Sequence, residues 1–251
     1  MNLKLGKLPA RNAVSFAFAD FFDAKKLPTP PKVFGHYSSV DNFHMLGNDA
    51  YSNCVWAGAA HETMIWSIEG GKPRARFLTK NTLADYAAVT GFNPAKPDTD
   101  QGTDMADAAE YRQKTGVLDA DGKRHTINGY VSMRVGNFEE MILATWIFGA
   151  TGVGLELPAQ AMDQFDRKQA WTVPSKPKME GGHYVSGVGR DSNGNLLIVT
   201  WGKVASVTPQ FYERFSDEAI AYISLEILSS KNLSPEGFDE SELRKHMSNL
   251  T

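Results

Sequence analysis

The sequence predicts an α+β fold with a helical first lobe and a mainly antiparallel second lobe. Two patterns carry the prediction, and chain length bounds it. Capped, helix-period segments fill residues 54–115, whereas period-two alternation and turn signals dominate residues 126–228. At 251 residues the chain is long enough for one large domain, or two lobes sharing a core.

Residues 1–32 read as an extended arm. Pro9, Pro28, Pro30 and Pro31 are spread through it, and the run Pro28-Thr-Pro-Pro31 favours extended backbone. One short helical turn is expected within residues 17–22, and the arm is expected to lie along the main body. The body, residues 33–251, is read as a single domain. Its first stretch, 33–47, is loop anchored by Val33, Phe34, Phe43 and Leu46. A helix then opens at Cys54, runs to about Ser67 and stops at Gly70-Gly71, with Ser52 or Asn53 placed to cap it. A second helix covers 82–90, with Gly91 at its stop. A third, 104–115, is capped by Thr103 and ended by Gly116, with Asp104 and Asp107 in its first turn. These elements make a helical lobe over about 45–125.

The β lobe covers about 126–228. It holds a strand at 126–135, a helix at 138–147 capped by Asn137, and a strand at 151–157 that alternates as a half-buried strand does. A short helix at 159–168 and a loop at 171–181 follow. Gly182 to Gly189 then pairs with 196–201 across a turn at Asp191-Ser-Asn-Gly194. A short helix at 209–215, a final strand at 219–228 and a C-terminal helix at about 239–249 complete the chain.

Composition removes several function classes. A formal net charge of -3 gives no basic excess, so neither nucleic acid nor an anionic membrane is expected as a partner. One cysteine excludes an intrachain disulfide framework, and with scattered histidines it gives no structural zinc pattern; no metal and no cofactor is expected. Asp98, Asp100, Asp104 and Asp107 lack the spacing of a calcium loop and read as an acidic turn with helix-start charges. There is no signal peptide pattern, and no apolar run approaches the roughly 20 residues of a membrane span, so the expected location is cytoplasmic.

Chemistry concentrates at Cys54. Turn formers precede it and a helix follows, so the sulfur sits where unpaired N–H groups and the helix dipole favour a thiolate. A buried structural cysteine is the competing reading. A nucleophile needs a base within hydrogen-bond reach. Of the six histidines, His36, His44 and His125 fall in loops and His246 in the terminal helix. His61 stands about 10 Å along the helix axis from Cys54, too far to serve. His183, at a strand start after two glycines, is the remaining candidate; taken alone, a strand histidine is more often structural than catalytic.

The order of elements resembles the papain-like cysteine peptidases, in which a Gln-Gly…Cys-Trp helix opens a helical lobe. A β-barrel lobe follows, with Gly-His at a strand start and an Asn-Ser-Trp-Gly motif ending a later strand. Here Cys54 opens the helix, Asn48 stands six residues earlier where the family has its oxyanion glutamine, and Trp56 follows by two rather than one. The stretch from Gln101 to Val117 is similar to the helix after the family's central disulfide region, and 138–157 to the helix and strand that begin its barrel. Gly182-His183-Tyr-Val-Ser-Gly-Val-Gly189 matches the histidine strand, and Leu197-Ile-Val-Thr-Trp-Gly202 the strand of the third residue. The resemblance spans roughly 45–228. It implies an antiparallel, β-barrel-like second lobe, with Cys54 as nucleophile, His183 as base, and Asn48 with the Cys54 N–H as oxyanion donors. Thr200, Trp56 and Trp201 are implied as substrate-cleft residues, and a peptide or isopeptide, peptidoglycan peptides included, as substrate. Val199 stands where the orienting asparagine belongs; a backbone carbonyl, Thr200 or another segment must then hold His183. That departure keeps a second reading in play: a non-catalytic papain-fold protein that docks onto a partner, or onto a second copy, through the arm and the lobe cleft.

Overall fold

A computed structural model of the chain describes residues 3–21, 27–231 and 233–237. The expected C-terminal helix at about 239–249 lies outside the described residues. In chain order the elements are α1 (Phe18–Phe21), β1 (Phe34–Gly35), α2 (Cys54–Glu69), α3 (Thr79–Thr90), α4 (Met105–Lys114), β2 (Val117–Leu118), β3 (Arg124–His125) and β4 (Gly129–Ser132). There follow α5 (Phe138–Phe148), β5 (Thr151–Pro158), α6 (Ala159–Asp166), β6 (Met179–Arg190), β7 (Leu196–Thr200), β8 (Lys203–Val207), α7 (Pro209–Phe215) and β9 (Ser216–Ile223).

The main sheet is antiparallel and runs β4-β9-β5-β6-β7-β8, with β1 added to β6. Among the described residues no pairing joins β4 to β8. The second lobe is therefore an open sheet rather than the barrel-like closure expected. β5 is not half-buried either; all of it but Glu156 is buried. Its apparent alternation comes from Gly152 and Gly154, which face Tyr184, Tyr222 and Lys7 rather than water.

Several boundaries differ for local reasons. The cap of α4 is Asp104, whose carboxylate accepts from the N–H groups of Ala106 and Asp107, and not Thr103. α3 starts three residues early, where the Asn81 side chain accepts from the Leu78 N–H. The strand expected at 126–135 is shortened: only Gly129–Ser132 joins the main sheet, and the residues just before it, Arg124–His125, pair with β2 instead. β6 begins at Met179, inside a stretch that reads as loop because of its glycines.

α2 is the central element. All of Cys54–Ser67 is buried, the pattern of a helix enclosed on every side. Gly58 allows it to close on β6, because a Cβ there would lie 2.3 Å from the Tyr184 ring. One turn on, Glu62 accepts from Tyr184 Oη at 2.6 Å and Ser186 Oγ at 2.8 Å. Its other oxygen lies 2.7 Å from Arg112 Nη2 of α4, an ion pair outside hydrogen-bond geometry. The Arg112 guanidinium also sits 4.0 Å over the Tyr222 ring of β9. This buried cluster joins both lobes.

Candidate active site

Cys54 is the first residue of α2 and is 2% exposed. Neither expected cap operates by its side chain. Asn53 donates instead to the Leu46 carbonyl at 2.9 Å, and the Ser52 N–H bonds to Asp100. Burial dominates the thiol and pushes its pKa up to about 12. The N–H groups of Tyr184 and Val55 and the charge of Lys7 pull the other way without overcoming it. In this state the sulfur is a thiol.

His183 lies fully buried on β6. Its Nε2 is 2.7 Å from Thr200 Oγ1 at the end of β7, and its ring stacks on Trp201 with centroids 4.4 Å apart. Of the ways left open for holding the imidazole, Thr200 is the one realised. Nδ1 has no hydrogen-bond partner, and burial lowers the pKa to about 3, so the ring is neutral. In the tautomer that donates its Nε2 proton to Thr200, Nδ1 carries the free lone pair.

Asn48, Cys54, Val199, Thr200 and Trp201 line one small cavity, together with His61 and Tyr184, and it leaves no room for a water molecule. Trp56 does not join it. Its indole donates to Thr103 Oγ1 at 3.0 Å and its ring meets the edge of Tyr111, inside the helical lobe. The acidic turn has structural duties: Asp100 accepts from Ser52 and Tyr86, Asp104 caps α4, and Asp107 accepts from Asn12. Among the described residues no group of three or more His, Cys, Asp or Glu side chains is placed to hold a metal ion.

The sequence reading missed what fills the space between the lobes. Residues 9–21 of the arm lie on the body as expected, with Arg11 N–H on Asp104 and Ser132 N–H on Phe16 O. Residues 4–8, however, thread past Cys54. The Lys4 carbonyl accepts from Asn48 Nδ2 at 3.2 Å and from Trp201 Nε1 at 3.0 Å. The N–H groups of Gly6 and Lys7 both donate to Gly182 O at 3.0 Å, beside His183. Across the gap Leu8 N–H donates to Thr103 O at 3.0 Å and Thr103 N–H to Gly6 O at 2.8 Å, a parallel bridge. The arm thus bonds both walls. Its signal in the sequence is slight: Leu3-Lys-Leu5 alternates, but Lys7 stands where the alternation calls for an apolar residue.

Neither a protein-family model nor a curated protein sequence matches the chain. Solved structures do match. Xylellain, a cysteine protease from Xylella fastidiosa, aligns with a TM-score of 0.61 at 12% identity, over 89% of this chain and 97% of that one. Procathepsin B S9 from Trypanosoma congolense gives 0.63 at 11%, over 88% and 86%. The bromelain protease from Ananas comosus, solved with the E64 inhibitor, gives 0.54 at 12%, over 78% and 100%. With its Cys54 helix packed on an antiparallel sheet that carries His183, the chain has the papain-like α+β fold.

Proposed function

We propose that the chain is a cysteine peptidase or amidase, latent in this state, with Cys54 as nucleophile and His183 as base. The observation that carries the reading is the cleft's occupant: an extended peptide, the chain's own residues 4–8, hydrogen-bonded to both lobes beside Cys54. A substrate peptide would take the same path once the arm leaves. Water and substrate entering the cleft would relieve the desolvation that holds the thiol protonated. The Cys54 proton would then pass to His183 Nδ1, and the thiolate would attack the scissile carbonyl carbon. Asn48 Nδ2, which already reaches a carbonyl oxygen in the cleft, and the Cys54 N–H would hold the oxyanion. Removing one such donor typically costs about 100- to 1000-fold in rate. The C–N bond then breaks, with the His183 proton going to the leaving amine; water, activated by His183, hydrolyses the thioester. A free thiol nucleophile and the absence of an intrachain disulfide suit a reducing compartment, in line with a cytoplasmic location. No described helix is long and apolar enough to cross a membrane.

One observation favours the non-catalytic reading, the burial of Cys54 without a bond to His183. In that reading the cleft is a peptide-binding groove, and the same arm contacts made between two copies would give self-association. Gly6 supplies the test. Its φ is +149° and a Cβ would stand 2.2 Å from Ser52 O, so Gly6→Val unseats the arm. The full-length variant should cleave a fluorogenic peptide at least about tenfold faster than wild type, as a population shift of that size requires. Adding Cys54→Ala should return the rate to background. Hydrolysis that survives Cys54→Ala would remove Cys54 as the nucleophile, and none at all while iodoacetamide labels Cys54 rapidly would replace the peptidase with the peptide-binding groove.

A further inference from the structure

Lys7 carries its side chain entirely out of solvent, with Nζ 2.7 Å from Asp217 and 3.7 Å from Glu218 of β9. Gly154 of β5 makes room for the stem, since a Cβ there would lie 2.5 Å from Lys7 Cε. Burial raises the Glu218 pKa to about 7, Lys7 opposes the rise, and the charges of Asp104 and Asp217 add to it. One ammonium therefore pairs with two carboxylates, and Asp217 Oδ1 and Glu218 Oε2 stay buried without a hydrogen bond. Buried carboxylate oxygens that lack hydrogen bonds are costly, so such a pocket favours a cation with more donors. A planar guanidinium, with five donors in a fork, fits the open oxygens better than an ammonium does. The pocket also adjoins the chemistry. The Lys7 N–H bonds to Gly182, next to His183, and the Lys7 charge reaches the Cys54 thiol.

We infer that Asp217 and Glu218 form a specificity pocket for a basic side chain, arginine ahead of lysine, on the peptide that replaces the arm in the cleft. The inference rests on the reading of that cleft as a peptidase's, but its test does not need turnover. Full-length Gly6→Val/Cys54→Ala protein is titrated with fluorescent Lys-Leu-Gly-X-Leu peptides, X being Arg, Lys, Leu or Glu, and anisotropy gives Kd. Arginine should bind at least about tenfold more tightly than leucine, and glutamate most weakly. Asp217→Asn/Glu218→Gln should erase the difference between arginine and leucine. Arginine and leucine bound within about twofold of each other, or no peptide bound at all, overturns the inference. Should the arm-displaced protein fail to fold, the same pocket is read in the otherwise unaltered chain. Lys7→Met should raise the Cys54 alkylation rate at least about tenfold and Lys7→Arg should not; a wild-type rate for Lys7→Met overturns the pocket.

Discussion

Valine at 199 cannot bond an imidazole, and Thr200, one residue along, takes that duty at 2.7 Å. Thr200→Val keeps the shape and removes the hydroxyl, leaving His183 Nε2 buried without a partner. Such a loss costs about 1–3 kcal/mol of stability. Urea denaturation should show it, and in the Gly6→Val background kcat should fall with KM little changed, with Thr200→Ser restoring both. Motif order offers Cys54, Asn48, His183 and Trp201 as candidates; the fold brings Cys54, Asn48 and Trp201 to one cavity with Thr200, which was among the possible holders of His183. The choice among holders was not legible, because it depends on how β7 ends; Trp201 turns there with a φ of 45°. Trp56 misled for a related reason. Its offset from Cys54 by two, about 100° further round a helix than an offset by one, points it at Tyr111 instead of the cleft.

At the scale of elements, the C-terminal end of α2 is tied down by His36. Its Nδ1 lies 3.1 Å from Glu69 and its Nε2 2.7 Å from Glu236, joining the loop before α2, the helix end and the tail. Burial alone would lower the His36 pKa, but the hydrogen bonds and charges of Glu236 and Glu69 more than offset it, and the value rises to about 9 from an ordinary 6.5. The folded state therefore holds the proton more tightly than the unfolded one. Stability from this clamp should be complete below about pH 6.5 and lost as pH rises through about 9. Melting temperatures across that range should fall for the wild type and fall less for His36→Gln. Helix starts and stops were legible wherever a cap was unambiguous, as with Asn137 before α5, whose side chain accepts from the Glu140 N–H. At α4 two adjacent residues both suit a cap. Thr103 is diverted to the arm and Asp104 takes the role, a competition that only tertiary contacts decide.

For the molecule as a whole, the lobes meet over the Glu62–Arg112 pair with Tyr184, Ser186 and Tyr222 around it. Arg112→Met would strand a buried carboxylate, and breaking such a pair costs about 3–5 kcal/mol. The midpoint of chemical denaturation should drop accordingly, while Glu62→Gln/Arg112→Met should recover part of the loss. The α+β class was legible because helix-period segments dominate the first half and period-two strands the second, with only short helices between them. The cluster was not, since its members are scattered over four elements and each alone reads as an ordinary polar residue. Nor was the path of residues 3–8, whose alternation breaks at Lys7 and names no edge for it to meet. That path has a kinetic consequence. A plug covalently attached to its own socket is present at a fixed local concentration, of order millimolar for a short tether, however dilute the protein becomes. Dilution alone would leave such a plug in place; a competing ligand must outbid that local concentration, or something must pull or clip the first few residues away.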